Sequence, residues 1–457
     1  MKKVFYAMFC MSAVFAVSCT KGFEPEGPKM IKVSFEDAET KSIIDGEKVR
    51  WEVNDAIMIY DGSKQNGFAY NAETGSFDGA ITEGATDFYA LYPELVLRSD
   101  RASTTIMTSS SESETTFTTF LPSYQKVRPN SVSQGAMITA CKPVLNGDKL
   151  SGSMKTLNGF LKFTIADAEN SKIAKVRFTA GSKYMSGRCK VIFNADGVSI
   201  STDASVCENT YVECGPESGN YLQNGTYYVS VLPYNYSGLT ITLVTTSGKV
   251  YEYATEGWVK PQPNTVQYVG IVDAGLASDN GLSSKTSVLV DFTATTNVTN
   301  LVKDGGNATI SANGTSYTVA TNALYAKNNA GYFQNGYFQT PAIENKTLKE
   351  VIVTFEGALD SNNKFKIDIS EKSDRSGNEL TGLYYGSNSV SGGSGTTYAF
   401  PMLGTSERLY WSHKFVLGKV SNGETSQSKV NPNANTSYYL VNRQATCQLS
   451  YIELIYE

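Results

Sequence analysis

His413 is the sole histidine of the chain, so a nucleophilic triad built on imidazole would have to use it. Nothing near it has the pattern of a nucleophile elbow, and the chain lacks both a phosphate-binding loop and a Gly-x-Gly-x-x-Gly turn after a strand. The seven cysteines include no Cys-x-x-Cys pair, which removes the common structural zinc arrangement. Asp360, Asn362 and Asn363 could offer oxygens to calcium, but they lack the spacing of a calcium loop and read as an ordinary turn. Among 44 acidic residues a hydrolytic carboxylate pair would be set by distance in space, which sequence conceals. No catalytic residue, metal or cofactor is therefore expected. Aromatic side chains remain. A sugar ring has apolar C–H faces and polar hydroxyls, so flat rings beside polar groups bind it. Tyr325, Tyr332, Phe333, Tyr337, Phe338, Tyr384, Tyr385 and Trp411 are available, with strand-face or core packing as the plainer use of each. Tyr384, Tyr385 and Trp411 are the preferred glycan contacts, since the two tyrosines border a Gly/Ser run from Gly386 to Thr397.

The other chemistry lies at the N-terminus. Lys2 and Lys3 precede an apolar run, Val4 to Val17, too short to span a bilayer, and Ser18–Cys19 closes it. This is a secretory signal. A cysteine directly after the small residue resembles a bacterial lipoprotein signal, although Ala16 stands where Leu is usual. The expectation is a mature chain that begins at lipidated Cys19, anchored to the outer membrane and facing outward. Cys10 leaves with the signal. Of the five remaining cysteines, Cys207 and Cys214 are close enough to bridge a hairpin end, and export permits it; free buried thiols fit equally.

The elements that must position these residues are strands. Phe365, Ile367 and Ile369 alternate with polar residues, as do Leu239, Ile241 and Leu243, while Val351, Val353 and Phe355 point opposite to Ile352, Thr354 and Glu356. The chain of 457 residues holds 28 Tyr and 21 Phe, ring types that favour strands. Asp61–Gly62, Asn146–Gly147, Asp196–Gly197 and Asn224–Gly225 mark turns. Long amphipathic helical patterns are hard to find, so an all-β chain of antiparallel sandwiches is expected. Its formal net charge is −5, with no basic cluster, which argues against nucleic acid. Residues 19–28 read as a tether and the segment Ala274 to Thr286 as a linker. The Ser/Thr-rich segment 108–119 reads as a surface loop.

Thr40–Lys41–Ser42 and then Lys48 through Tyr60, with Arg50–Trp51–Glu52–Val53–Asn54–Asp55 at its centre, resemble the N-terminal domain of Bacteroidales fimbrillins, lipoprotein pilins and tip adhesins. Phe88–Tyr89–Ala90–Leu91–Tyr92–Pro93, Leu121–Pro122 with Gln125, and Ala136–Met137 resemble later strands of that family. Leu157 to Phe163, Met185–Ser186–Gly187 and Tyr227 to Pro233 resemble its second domain. The resemblance implies two tandem transthyretin-like sandwiches, residues 29–147 and 148–273. A third sandwich at 287–457, jelly-roll-like in texture, would follow as a possible ligand-binding head. It further implies assembly. A trypsin-like protease removes an N-terminal strand, and a neighbour's strand fills the groove. Met30 to Phe35 alternates as a displaceable strand would, and Arg50 is a basic site of the right type, with a solvated strand residue as its plainer reading. A stalk pilin would end near residue 273, so the extra region favours a tip or accessory subunit and adhesin. Other pilin subunits and a host or bacterial surface glycan or protein are the expected partners. The alternatives are a surface glycan-binding lipoprotein outside any pilus and a glycan-processing enzyme.

Overall fold

The computed structural model describes residues 29–36, 40–44, 47–53, 55–96, 106–110, 113–181, 183–201, 208–255, 257–273, 285–292, 298–299, 306–312, 315–322, 324–327, 330–356, 365–374, 379–385, 402–403, 410–418, 430–442 and 447–457. Among them the chain is all-β, and the one helix, Ala168–Ser171, is a single turn.

The first sheet has nine strands. Within it Ala56–Tyr60 is flanked by Gln65–Asn71 and Tyr89–Tyr92. Ile57 and Ile59 point into one core with Phe68, Phe77 and Tyr92, while Met58 and Tyr60 point into another with Phe117, Cys189 and Val191. Strands buried on both faces read as continuous apolar runs, as Ala56-Ile-Met-Ile-Tyr60 does. Met30–Glu36 lies inside this sheet, and Val144–Asn146 with Lys149–Ser151 closes one edge as a hairpin. That turn is Asn146-Gly147-Asp148, and Gly147 takes φ of +66°, a conformation open to Gly and costly for branched residues. Lys149–Ser151 and Lys155–Thr156 lie beyond the 147/148 division drawn from the sequence and sit in this first sheet.

The Ser/Thr-rich segment is not a surface loop. Ile106–Ser110 and Glu114–Leu121 are paired strands, and the second also pairs with Ser186–Asn194 over eight residues, from Glu114↔Asn194 to Leu121↔Gly187. Thr115, Thr116, Phe117 and Thr119 are buried there. β-branched Thr suits a pleated, half-buried surface, so hydroxyl content alone misreads such a run. The first and middle modules consequently share a sheet.

The middle module packs Gly159–Ile165, Gly225–Val231 and Val266–Ile271 against Ile173–Ala180, Tyr211–Pro216 and Leu239–Thr245. Leu239, Ile241 and Leu243 fill this core as their alternation predicts. Cys214 lies in it as a buried free thiol, and burial pushes that thiol far above its ordinary pKa. Cys207 lies outside the described residues.

The C-terminal module faces two sheets across one core. The closing strand Cys447–Tyr456 returns beside the module's first strand, Thr286–Asp291, in six antiparallel pairs, and also pairs with Leu348–Glu356. The second sheet holds Gly306–Ala312, Thr315–Thr321, Gly336–Gln339, Tyr439–Asn442, Phe365–Ser370 and Glu379–Tyr385. Val351, Val353, Ile367 and Ile369 are core residues. Ile352 and Ile455 point out of the sandwich, yet they are buried against Val244 and Val250 of the middle module. A buried ion cluster joins the same two faces. Glu453 pairs with Lys175 and, at 3.0 Å, with Arg177, and Arg177 also reaches Glu213 at 2.5 Å. Ser287 donates to Glu453 at 2.9 Å.

Candidate functional site

The first site to test is the seat of Met30–Glu36. Its apolar residues alternate, so Val33 and Phe35 enter the core, Ile31 is half-buried, and Met30 and Lys32 face out. Burying Val33 and Phe35 contributes roughly 1.5–3 kcal/mol each. On one side the strand pairs antiparallel with Ser76–Thr82, from Met30↔Thr82 to Phe35↔Phe77. On the other it pairs in parallel with Lys149–Ser151 through Ser34, Phe35 and Glu36. Loss of this strand would leave two rows of backbone donors and acceptors facing each other across an apolar slot, which is a template for another strand.

The far wall is held rigidly. Asp61 accepts the backbone N–H of Thr82 at 2.7 Å, as well as those of Ser63 and Lys64. Burial works against its charge, but these donors outweigh it and lower its pKa to about 2. The strand end that meets Met30 is therefore fixed from its own side of the sheet.

The connection to the rest of the sheet has a sharp boundary. Thr40–Ile44 and Glu47–Arg50 form a separate hairpin in which Arg50 pairs with Thr40. Arg50 is exposed, and its neighbour Trp51 is 7% exposed. The Trp51 ring meets Phe77 edge-on at 4.8 Å and Tyr92 at 5.2 Å. Past it, the turn is tied to the core. Buried Asp55 accepts from the Tyr92 hydroxyl at 2.6 Å and from the Glu52 N–H at 2.6 Å, and the Gly135 N–H donates to the same hydroxyl at 3.1 Å. Burial, reinforced by the adjacent Asp55 charge, holds the Tyr92 phenol well above its ordinary pKa. An exposed basic residue thus sits one position before an anchored one.

Glu94 follows the Tyr92–Pro93 cis bond and rests over Gly67. It is 9% exposed, and among the described residues no cation pairs with it, so burial pushes its pKa up to about 7. A carboxyl raised from 4.5 in the unfolded chain binds its proton more tightly when folded, so stability falls as pH rises from about 4.5 through 7. Glu94→Gln should stabilise the chain above pH 7 by up to about 3 kcal/mol and change little below pH 4.5. Urea unfolding at both pH values reads this; equal stabilisation at both would refute it.

Cys19 lies outside the described residues, as do Asp360, Asn362 and Asn363. Tyr384 and Tyr385 sit at the end of Glu379–Tyr385, their backbones opposite Lys366 and Phe365. The Trp411 backbone pairs with Phe355 in the other sheet of the module, and that of His413 with Val353. The side chains of these four residues are outside the description. Phe333 and Phe338 are core residues, 0% exposed, and Tyr337 is half-buried against Tyr439. The sequence singled out Arg50 and Met30 to Phe35, but not the Asp55–Tyr92 anchor; the period-two pattern on either side says nothing about a cross-sheet hydroxyl–carboxylate contact.

No protein-family model matches the sequence, and no curated protein does. Among solved structures, this chain is similar to a candidate cell adhesion protein from Bacteroides ovatus, at 10% identity and a TM-score of 0.34, over 53% of this chain and 92% of that one. It is similar to a fimbrial protein from Bacteroides ovatus at 12% identity and a TM-score of 0.29, over 52% of this chain and 48% of that one. A candidate cell adhesion protein from Bacteroides thetaiotaomicron matches at 13% identity and a TM-score of 0.29, over 53% of this chain and 93% of that one.

Proposed function

We propose that this chain is a pilus tip or accessory subunit and cell-surface adhesin, anchored through lipid at Cys19, whose N-terminal sheet accepts a partner's strand in the place of Met30–Glu36. The observation that carries this reading is the interior position of that strand, paired on both sides and followed by an exposed Arg50 and an anchored Trp51. Cutting after Arg50 releases the strand and its hairpin without touching the Trp51–Asp55 turn. A second observation favours a terminal position over a stalk position. The closing strand Cys447–Tyr456 lies between two neighbours, and the Tyr456 hydroxyl donates to the Pro341 carbonyl at 2.7 Å. Such a strand is committed to its own module and is poorly placed to leave and complete a neighbour.

The test is a chain that begins at Trp51, mixed with a fluorescent peptide of residues 29–36. Saturable uptake of this peptide, together with rejection of a scrambled one, is expected from anisotropy. A folded, monomeric chain that takes up neither would overturn strand acceptance and favour a glycan-binding lipoprotein outside any pilus. The glycan contacts at Tyr384, Tyr385 and Trp411 belong to this proposal as candidate contacts on the two sheets of the C-terminal module.

A further inference from the structure

A cavity of about 500 Å³ opens at the seam between the nine-stranded sheet and the sheet containing Glu114–Leu121 and Ser186–Asn194. It exceeds what a single water needs, about 30 Å³, and falls within the roughly 300–1,000 Å³ of small-ligand sites. Its apolar wall is Tyr89 and Phe193, whose rings meet edge-on at 5.0 Å. The Tyr89 ring is held in place. Its hydroxyl donates to Asp87 at 2.8 Å and accepts from Thr115 at 3.2 Å, and the Lys142 ammonium lies 4.8 Å from the ring centre.

The remaining lining mixes Ala140, Cys141, Ala195 and Val198 with polar groups, among them Asn194 and Ser153, two lysines and one carboxylate, Glu114. The lysines differ. Lys142 is neutralised by Asp87 at 3.0 Å. Lys155 is exposed at the rim and, among the described residues, has no carboxylate partner. Glu114 accepts from the Thr116 hydroxyl at 3.0 Å, and the cavity otherwise offers a fixed apolar wall, the neutral hydrogen-bonding groups of Asn194 and Ser153, and at its mouth one lysine that among the described residues has no carboxylate partner. A polyhydroxylated ring with one negative charge answers all three: its C–H face meets the wall, its hydroxyls the Asn and Ser groups, and its anion the ammonium.

We infer that this cavity binds one acidic sugar unit, a pyranose bearing a carboxylate, from an extracellular glycan. The site lies in the N-terminal body, far along the chain from the aromatic residues of the C-terminal module. It does not depend on strand exchange, because every wall is present with Met30–Glu36 in place.

The test is calorimetric titration of the full chain with galacturonate and with galactose, which differ only in the carboxylate. Galacturonate is expected to bind about 10–100-fold more tightly, as one charge-assisted hydrogen bond allows. Lys155→Met should erase that preference, and added salt should weaken galacturonate alone. Ser153→Trp, at an exposed rim position, should block both sugars while the melting temperature stays at the wild-type value. Absence of saturable galacturonate binding, equal affinity for the two sugars, or unchanged binding in Lys155→Met or Ser153→Trp would each overturn the assignment. Because the strand remains in its groove throughout, these results are separate from peptide uptake.

Discussion

Glu453→Ala is expected to destabilise the chain by about 3–5 kcal/mol, the cost of breaking a buried ion pair from one side. The side chain is 1% exposed and holds Lys175, Arg177 and Ser287 together. Its removal leaves the Lys175 and Arg177 cations with one buried carboxylate, Glu213, and a more distant, partly exposed one, Glu350, 3.8 Å from Arg177. Burial opposes ionisation of Glu453, but Lys175 and Arg177 outweigh it and hold its pKa below 4.5. A carboxylate depressed in this way stabilises the fold above its unfolded pKa and loses that contribution as pH falls through the folded value. The variant should accordingly be much less stable than wild type at neutral pH, with the gap closing in acid. Denaturant unfolding at pH 7 and pH 3 measures both. Replacing Lys175, Arg177, Glu213 and Glu453 together with apolar residues of similar volume should cost far less than Glu453→Ala alone, since no charge is then stranded. A loss under 1 kcal/mol for Glu453→Ala at pH 7 would mean that the modules are held by the apolar patch of Val244, Val250, Ile352 and Ile455.

That cluster also marks where sequence stops being informative. Lys175 and Arg177 alternate with Val176 and Phe178, the pattern of a strand with one wet face. Val176 and Phe178 do enter the middle core. The supposedly wet face is instead covered by the C-terminal module, and Lys175 lies 278 residues from Glu453. Periodicity reports which residues share a face. It cannot report what a distant segment lays over that face. Ile352 fails for the same reason: it points opposite to Val351 and Val353, toward apparent solvent, and is buried by a module earlier in the chain.

Local features were more legible. The alternation of Met30 to Phe35 and the Asn146–Gly147 turn follow from side-chain period and turn chemistry. The Ser/Thr-rich segment was misread because hydroxyl content suggests solvent, whereas Thr115, Thr116 and Thr119 are buried on a strand that pairs on both sides. Around Met30–Glu36, the basic Arg50 and the alternating strand were visible. The anchor at Asp55 was not, because its partner, the Tyr92 hydroxyl, arrives from 37 residues away.

Phe35→Ala tests whether that groove reads side chains or only backbone. Phe35 is 0% exposed and belongs to the core with Trp51, Ile57 and Phe77. In the full chain the substitution is expected to cost about 3–5 kcal/mol, the range for a buried Phe cut to Ala. In the chain that begins at Trp51, the same change made in the added peptide should weaken uptake by roughly 10²–10⁴-fold, the equivalent loss on the binding scale. Lys32→Ala, on the opposite face of the same strand, should move either quantity by about 0.5 kcal/mol or less. Backbone pairing is identical in the three peptides, so a difference between them measures what the side chains contribute. A one-residue slip would turn Lys32 and Ser34 inward and Phe35 to solvent, so a groove that enforces register must separate Phe35→Ala from Lys32→Ala. Equal uptake of the two peptides would reduce the site to an unspecific open edge, a poor device for choosing one partner.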